Sequence, residues 1–248
     1  MSDAIRGAAC FLRGLGLLSE PGIRSFVLWP IAISVLVFAA LVGVAWWQFG
    51  ALLDWMLGFV PSWLQWVEWL LWIVFAAAAV LAVAFTFVLL TGLIAAPFHG
   101  PLAEAVERHL SGRGPPSVSL PRSLAKLPLD LLDELLKIAY ALAVAVPFLL
   151  LFAVPLVNLV APALWFVCCA WIAAFQFTDY AMANHGLRMR AMRRRLRGRW
   201  WLAIGFGTAA FLACLVPFVN LIAVPAAVSG GAVLWTRHLR DGAGPAGA

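Results

Sequence analysis

Long stretches without a charged residue alternate with short polar segments along this chain. Two such stretches cover residues 25–53 and 69–98, and each is long enough to cross a bilayer. The segment between them contains no Lys or Arg and is surrounded by tryptophans, a pattern typical of an outer membrane interface. The pattern therefore predicts two long transmembrane helices over 25–53 and 69–98.

Two later apolar runs, 138–178 and 200–236, each contain a similar break near the middle. The breaks are Val-Pro-Leu-Val-Asn-Leu-Val-Ala-Pro at 154–162 and Val-Pro-Phe-Val-Asn-Leu-Ile-Ala-Val-Pro at 216–225. Proline interrupts a helix, and asparagine needs hydrogen-bond partners. A leg of 17 residues such as 138–154 reaches only about 26 Å, which is less than the hydrocarbon core of roughly 30 Å. We predict two partly penetrating, re-entrant helical hairpins, with two complete spans per run as the alternative.

The remaining segments predict amphipathic helices outside the bilayer. Residues 4–18 have apolar positions at helical spacing and arginines on another face, which suits a helix on the membrane surface. The apolar positions are Ile5, Ala8, Leu12 and Leu15, and the arginines are Arg6 and Arg13. Residues 99–137 form a polar segment with a helical stripe of leucines, Leu120, Leu124, Leu127, Leu131 and Leu135. We predict a cytoplasmic helical head there.

The cations are distributed on one side of this topology. All 17 Lys and Arg residues fall before the first span, in the head, between the hairpins or after the second hairpin. Cations mark the cytoplasmic side, so both termini are predicted to be cytoplasmic. This distribution explains the net charge of +6 without a nucleic-acid partner, and a hydrophobic content of 65% excludes an ordinary soluble domain.

The sequence gives little support to an enzyme. The four cysteines lack C-x-x-C spacing, and the four histidines include no pair at metal-ligand spacing. A membrane enzyme would need a clustered nucleophile and base or a metal set, and none is recognisable. We therefore predict no enzyme activity, no metal and no cofactor.

A short turn before the first span has the chemistry of an anion site. Gly22, Ile23 and Arg24 follow Pro21 at an expected helix start, where backbone N–H groups converge on the positive end of the helix dipole. The Arg24 guanidinium adds paired donors of fixed geometry.

Several motifs together resemble the CysZ family of bacterial sulfate permeases, over residues of about 4 to 238. They are Gly-Leu-Gly-Leu-Leu-Ser-Glu-Pro-Gly-Ile-Arg-Ser-Phe-Val at 14–27, Leu-Ile-Ala-Ala-Pro-Phe-His at 93–99, Leu-Ala-Glu-Ala-Val-Glu at 102–107, Asp-Tyr-Ala-Met-Ala-Asn-His-Gly at 179–186 and the two Pro-x-Val-Asn-Leu breaks. The resemblance implies a homo-oligomeric inner-membrane protein that takes up sulfate for cysteine biosynthesis. It also implies two long transmembrane helices, two partly penetrating hairpins and a cytoplasmic helical head.

The resemblance also implies a sulfate site at the first turn. By motif position it includes Gly14, Leu15, Gly22, Ile23 and Arg24. Ser25 stands where a second arginine is common in the family, and Gly16 where asparagine is common. With one guanidinium, sulfate is expected to bind more weakly, although the Ser25 hydroxyl can still donate a hydrogen bond.

The two breaks and a few charged positions suggest hypotheses for pore and gate residues. Asn158 and Asn220 could present amide donors to a passing dianion, or could instead tie the two hairpin tips together. Four further candidates for gating or proton transfer near the cytoplasmic mouth are Glu104, Glu107, Asp179 and His185. Glu104 is four residues from Arg108, a spacing that favours an ion pair.

Sulfate entry is the predicted function, and a non-transporting scaffold or regulatory partner of a cytoplasmic enzyme is the alternative. Channel-like and proton-coupled movement both remain open, as does thiosulfate or another oxyanion as substrate.

Overall fold

The computed structural model describes residues 2–57, 68–112, 114, 135–137, 139–154 and 156–240. Every regular element within these ranges is helical, as predicted. The elements are α1 (Asp3–Leu17), α2 (Ser25–Leu57), α3 (Glu68–Ser111), α4 (Leu135–Ala153, ending in a 3₁₀ turn over Leu151–Ala153), α5 (Ala161–Asn184), α6 (Met189–Gly198), α7 (Trp200–Cys214) and α8 (Pro217–Leu234), which continues into a π-helical turn at Trp235–Leu239. The chain forms two compact units, Leu28–Pro97 and Met1–Val27 with Phe98–Ala248.

The described part of the unit Leu28–Pro97 consists of the long apolar parts of α2 and α3. The full helices contain 33 and 44 residues, and lengths of roughly 50 and 66 Å exceed the thickness of a hydrocarbon core. Large apolar side chains face outward, with Leu36 73% and Leu81 70% exposed. Such a surface is stable in lipid and unfavourable in water. In the described part of the chain, five helices are long and apolar enough to span a membrane, consistent with a multi-pass membrane protein.

Helix α3 extends further than the sequence pattern indicates. The segment after 98 is predicted as the start of a separate head, yet α3 continues to Ser111. Leu102, Ala103 and Val106 are almost fully buried, and this packing stabilises a helix that contains Pro97 and Pro101. Most of the predicted head, including Leu120, Leu124, Leu127 and Leu131, lies outside the described residues, as does the tryptophan-rich segment 58–67.

The core of the second unit is built from α1, α5, α7 and α8, and both α1 and α5 pack on α7 and α8. Glycines allow these helices to approach closely. A Cβ atom at Gly205 would lie 1.9 Å from the carbonyl oxygen of Ala4, and one at Gly207 would lie 1.8 Å from that of Ala170. Packing through small residues is typical of helices in membranes.

Helix α1 packs against the protein core through a different face from its apolar stripe. Its buried residues are Gly7, Cys10, Phe11, Gly14 and Leu17. In contrast, Ile5 is 54% and Leu12 63% exposed. The stripe therefore faces away from the protein core, while a narrower face rich in small residues packs on α7 and α8. A helix on a membrane surface can present such a stripe to lipid.

The two breaks differ in the structure more than in the sequence. The first runs from the end of α4 to Ala161, and Leu156 within it has a positive φ of 68°. The second is confined to Leu215 and Val216, because Pro217 occupies the first turn of α8, where proline is tolerated. The break predicted over 216–225 is thus too long, and both Asn220 and Pro225 lie within α8.

Candidate functional site

A tight turn joins α1 to α2 and contains the predicted anion site. The hydroxyl group of Ser19 donates a hydrogen bond to the carbonyl oxygen of Gly16 at 3.0 Å, just beyond the last turn of α1. Gly22 has φ of +90°, a conformation that favours glycine. The N–H groups of Ile23 and Arg24 both donate to the carbonyl oxygen of Glu20, each at 3.1 Å.

These hydrogen bonds change the expected donor set. The sequence predicts free N–H groups at Gly22, Ile23 and Arg24, but α2 begins at Ser25 and Glu20 accepts from two of the three. Among the described residues, the N–H groups of Gly22 and Ser25 donate no backbone hydrogen bond. The available donors are therefore these two N–H groups, the Ser25 hydroxyl and the Arg24 guanidinium.

Most of the donor groups at the turn are accessible from the protein surface. Gly22, Arg24 and Ser25 are exposed, and Ile23 is only 2% exposed. The buried Ile23 side chain thus anchors the turn, while its neighbours on both sides reach the surface. A small oxyanion could accept hydrogen bonds from Arg24 and Ser25 without displacing protein atoms.

The other two residues assigned by resemblance have different surroundings. Gly14 is buried where α1 meets α8, and a Cβ atom there would lie 2.3 Å from the nitrogen of Gly230. Leu15 is 42% exposed and belongs to the outward stripe of α1. Gly14 therefore has a packing role, and Leu15 presents no polar side-chain atom to an anion.

A second polar cluster surrounds the carboxylate of Glu107, which is fully buried. The Nε2 atom of His185 lies 2.8 Å from both carboxylate oxygens, and an Arg240 guanidinium nitrogen lies 3.1 Å from Oε1. A carboxylate accepts hydrogen bonds, and the Nε2 position of a histidine ring can donate one. A buried carboxylate without such partners would be strongly destabilising. The cluster joins α3 to the segments that follow α5 and α8.

Trp235 lies next to His185 of this cluster, and Arg195 lies over the Trp235 ring. The His185 ring is 5.4 Å from the Trp235 ring, and the Arg195 guanidinium lies 5.0 Å from the centre of the same tryptophan ring. Arg195 also donates to the carbonyl oxygen of Leu239 at 3.3 Å. Helix α6 is thereby attached to the end of α8, beside the Glu107 carboxylate.

Asp179 and Glu104 form separate ion pairs. Asp179 is 5% exposed and its carboxylate contacts Lys137 Nζ at 2.5 Å, which connects α5 to α4. Glu104 pairs with Arg108 within α3, as its spacing predicts. Of the four gate candidates, the structure brings Glu107 and His185 together and gives Asp179 and Glu104 partners of their own.

The two asparagines occupy different positions. Asn158 lies in the 3₁₀ turn Val157–Leu159 and is exposed. Asn220 is in the first turn of α8, and its buried Oδ1 atom has no hydrogen-bond partner. Among the described residues, neither asparagine side chain hydrogen-bonds to the other tip, so the structure gives no support to the hypothesis that they tie the hairpins together.

Arg240 and Lys137 pair with two of the candidate residues, although the sequence pattern indicates only a role in membrane topology for them. Each pairs with a carboxylate far away along the chain, Glu107 and Asp179 respectively. The sequence contains no local spacing that signals such pairs. Within the described residues, no group of three or more His, Cys, Asp or Glu side chains could hold a metal ion.

Comparison with known proteins gives a consistent result. Residues 10–225 match the family model described as sulfate transporter CysZ/etoposide-induced protein 2.4. A protein named sulfate transporter CysZ from Pseudomonas paraeruginosa is 40% identical over 236 residues, covering 95% of this chain and 96% of its own. A protein of the same name from Pectobacterium atrosepticum is 36% identical over 239 residues, covering 95% and 86%.

Proposed function

The chain belongs to the sulfate transporter CysZ/etoposide-induced protein 2.4 family, and on this premise we propose that it carries sulfate across the bacterial inner membrane for cysteine biosynthesis. The apolar helices and the names of its relatives support this proposal. Both termini lie in the cytoplasm in this proposal, because the cations are distributed on one side of the predicted topology.

The observation that carries the proposal is the donor set at the turn between α1 and α2. Sulfate loses hydration on binding, and the loss must be offset by several hydrogen bonds. The N–H groups of Gly22 and Ser25, the Ser25 hydroxyl and the Arg24 guanidinium provide such bonds together with one positive charge. All of these donors belong to three residues, Gly22, Arg24 and Ser25, within a stretch of four, so they can address the same tetrahedral anion.

The route through the membrane follows the two hairpins, α4–α5 and α7–α8, in this proposal. Helix α7 contains 15 residues, and a length of about 22 Å is too short to cross a hydrocarbon core of roughly 30 Å. The α7–α8 hairpin is therefore proposed to be re-entrant. The related Pro-x-Val-Asn-Leu break extends this proposal to the α4–α5 hairpin, although α4 and α5 are each long enough to span. Irregular backbone at membrane depth requires a protein-lined or water-filled environment. Asn158 and Asn220, near the two breaks, are the proposed polar groups of that path.

The Glu107 cluster is the proposed gate at the cytoplasmic end. Glu107 is near the end of α3, His185 follows α5 and Arg240 follows the π-helical turn after α8. A passing dianion would compete with the Glu107 carboxylate for Arg240 and His185. Exchange of these partners could open and close the route without moving a whole helix.

Sulfate binding to the purified protein tests the proposed site. Replacing Arg24 with alanine removes a charge-assisted interaction of about 1.5–3 kcal/mol, so the dissociation constant should rise about 10- to 100-fold. Arg190→Ala is the matched control, because Arg190 is also exposed and lies on α6. Equal affinity of the Arg24→Ala variant and the native protein, measured by calorimetry at fixed ionic strength, would remove the turn as the sulfate site.

A further inference from the structure

A pocket between α1 and the end of α8 gathers positive charge away from the α1–α2 turn. Its volume is about 190 Å³. Three arginines from two elements line it, Arg6 and Arg13 from α1 and Arg237 from the π-helical turn. The other lining residues are Ala9, Cys10, Val233 and His238.

The positive charge in this pocket is only partly compensated. Arg6 pairs with Asp3 at 3.2 Å on the exposed side of α1. In the described part of the chain, Arg13 and Arg237 have no hydrogen-bond or ion-pair partner, and no carboxylate lines the pocket. Burial raises the pKa of the Cys10 thiol to about 11, although Arg237 and Arg13 act in the opposite direction. The thiol is therefore neutral at physiological pH and supplies no counter-charge.

The surface of α1 indicates where this pocket lies relative to the bilayer. Ile5, Leu12 and Leu15 are 54%, 63% and 42% exposed and form one apolar stripe. At 3.6 residues per turn, Arg6 and Arg13 lie on one flank of α1, between the apolar stripe and the buried face of the helix. An amphipathic helix with this arrangement lies in the membrane interface, with its apolar stripe toward the acyl chains and its arginines at headgroup depth.

We propose that the pocket lined by Arg6, Arg13 and Arg237 binds the phosphate group of an anionic phospholipid from the cytoplasmic leaflet. Guanidinium groups bind phosphate oxygens through paired, charge-assisted hydrogen bonds. Free phosphate or sulfate offers the same oxyanion chemistry. Only a lipid would also place acyl chains along Ile5, Leu12 and Leu15, which is why the lipid is favoured.

Binding of fluorescent phosphatidylglycerol to the full chain, purified in a neutral detergent, tests this proposal. We expect saturable binding that weakens roughly tenfold or more in the Arg13→Gln, Arg237→Gln double variant. The double variant Arg190→Gln, Arg194→Gln changes the net charge equally at exposed positions of α6 and should bind like the native protein. Thermal melting of each variant establishes that it is folded.

Two competition measurements decide the source of the phosphate group. At fixed ionic strength, inorganic phosphate and sulfate should not displace the lipid, and phosphatidylcholine should not compete. Equal loss of phosphatidylglycerol binding in both double variants would show a general charge effect and overturn the pocket assignment. Displacement by millimolar phosphate or sulfate would overturn the lipid as the occupant.

Discussion

Individual residues at the α1–α2 turn have distinct physical roles. Gly22 supplies a positive φ, Ile23 is buried, and Arg24 and Ser25 remain exposed. The turn thus combines an anchored backbone with free side-chain donors. In this chain Ser25 replaces the second arginine that the family resemblance leads us to expect, so the proposed site has one guanidinium group.

Restoring the second guanidinium should strengthen sulfate binding. Because Ser25 is exposed, Ser25→Arg introduces a charge without burying it. A hydrogen bond to a charged group contributes about 1.5–3 kcal/mol, so the sulfate dissociation constant should fall about tenfold or more. Calorimetric titration with sulfate measures the change, and Ser25→Gln controls for side-chain size. Unchanged or weaker binding in Ser25→Arg would contradict the proposed position of the anion.

The site residues were only partly predictable from the sequence. Arg24 and Ser25 could be named because a turn and a family motif coincide there. The hydrogen bonds from the N–H groups of Ile23 and Arg24 to the Glu20 carbonyl oxygen could not be predicted, because they depend on where α2 begins. Pairing of Arg240 with Glu107 joins positions 133 residues apart, and nothing in the local sequence specifies that contact.

At the scale of elements, glycine positions decide how the helices pack. Gly14 faces Gly230 across the α1–α8 contact, and Gly7 faces Leu202 across the α1–α7 contact. The lengths of the uncharged stretches in the sequence predicted most helices, because a bilayer sets the length of a spanning segment. These lengths could not show which face of α1 is buried in the protein. The apolar stripe of α1 can pack against lipid as well as against protein, and the structure buries the Gly7–Gly14 face instead.

Adding a methyl group at Gly14 should destabilise the protein. A Cβ atom there would lie 2.3 Å from the nitrogen of Gly230 and 2.4 Å from the oxygen of Ala226, and overpacking of this kind typically costs about 1–3 kcal/mol. Thermal unfolding of the Gly14→Ala variant in detergent should show a lower midpoint.

Gly16 provides a matched control on the same helix. It is exposed, and a Cβ atom there would meet nothing within 4 Å, so Gly16→Ala should be neutral or stabilising by about 0.5–1 kcal/mol. Equal midpoints for both variants would show that α1 is not held by close contact with α8.

At the scale of the whole molecule, the ends of several helices meet at one polar cluster. Glu107, His185 and Arg240 bring together α3 and the segments after α5 and α8. Both hairpins therefore return to the side where α3 ends. The cations are on the same side of the predicted topology, which supports the proposed cytoplasmic position of the cluster.

Labelling from outside the cell measures the depth of the hairpin tips. Single cysteines replace Asn158 or Asn220 in a variant whose four natural cysteines are serine or alanine. If the hairpins are re-entrant, a membrane-impermeant maleimide should leave both positions unmodified while labelling a cysteine at position 62, in the predicted outer segment. Labelling of positions 158 and 220 at the rate of position 62 would make the tips external loops.

Sulfate influx into proteoliposomes tests transport most directly. The purified protein is reconstituted into sealed vesicles with labelled sulfate outside. These vesicles should accumulate sulfate faster than protein-free vesicles do. At sulfate concentrations below saturation, the Arg24→Ala variant should reduce that rate about tenfold or more. The Arg190→Ala variant should retain the native rate. No influx above that of empty vesicles under either an imposed sulfate gradient or an added proton gradient would contradict transport and leave a scaffold as the function of this membrane protein.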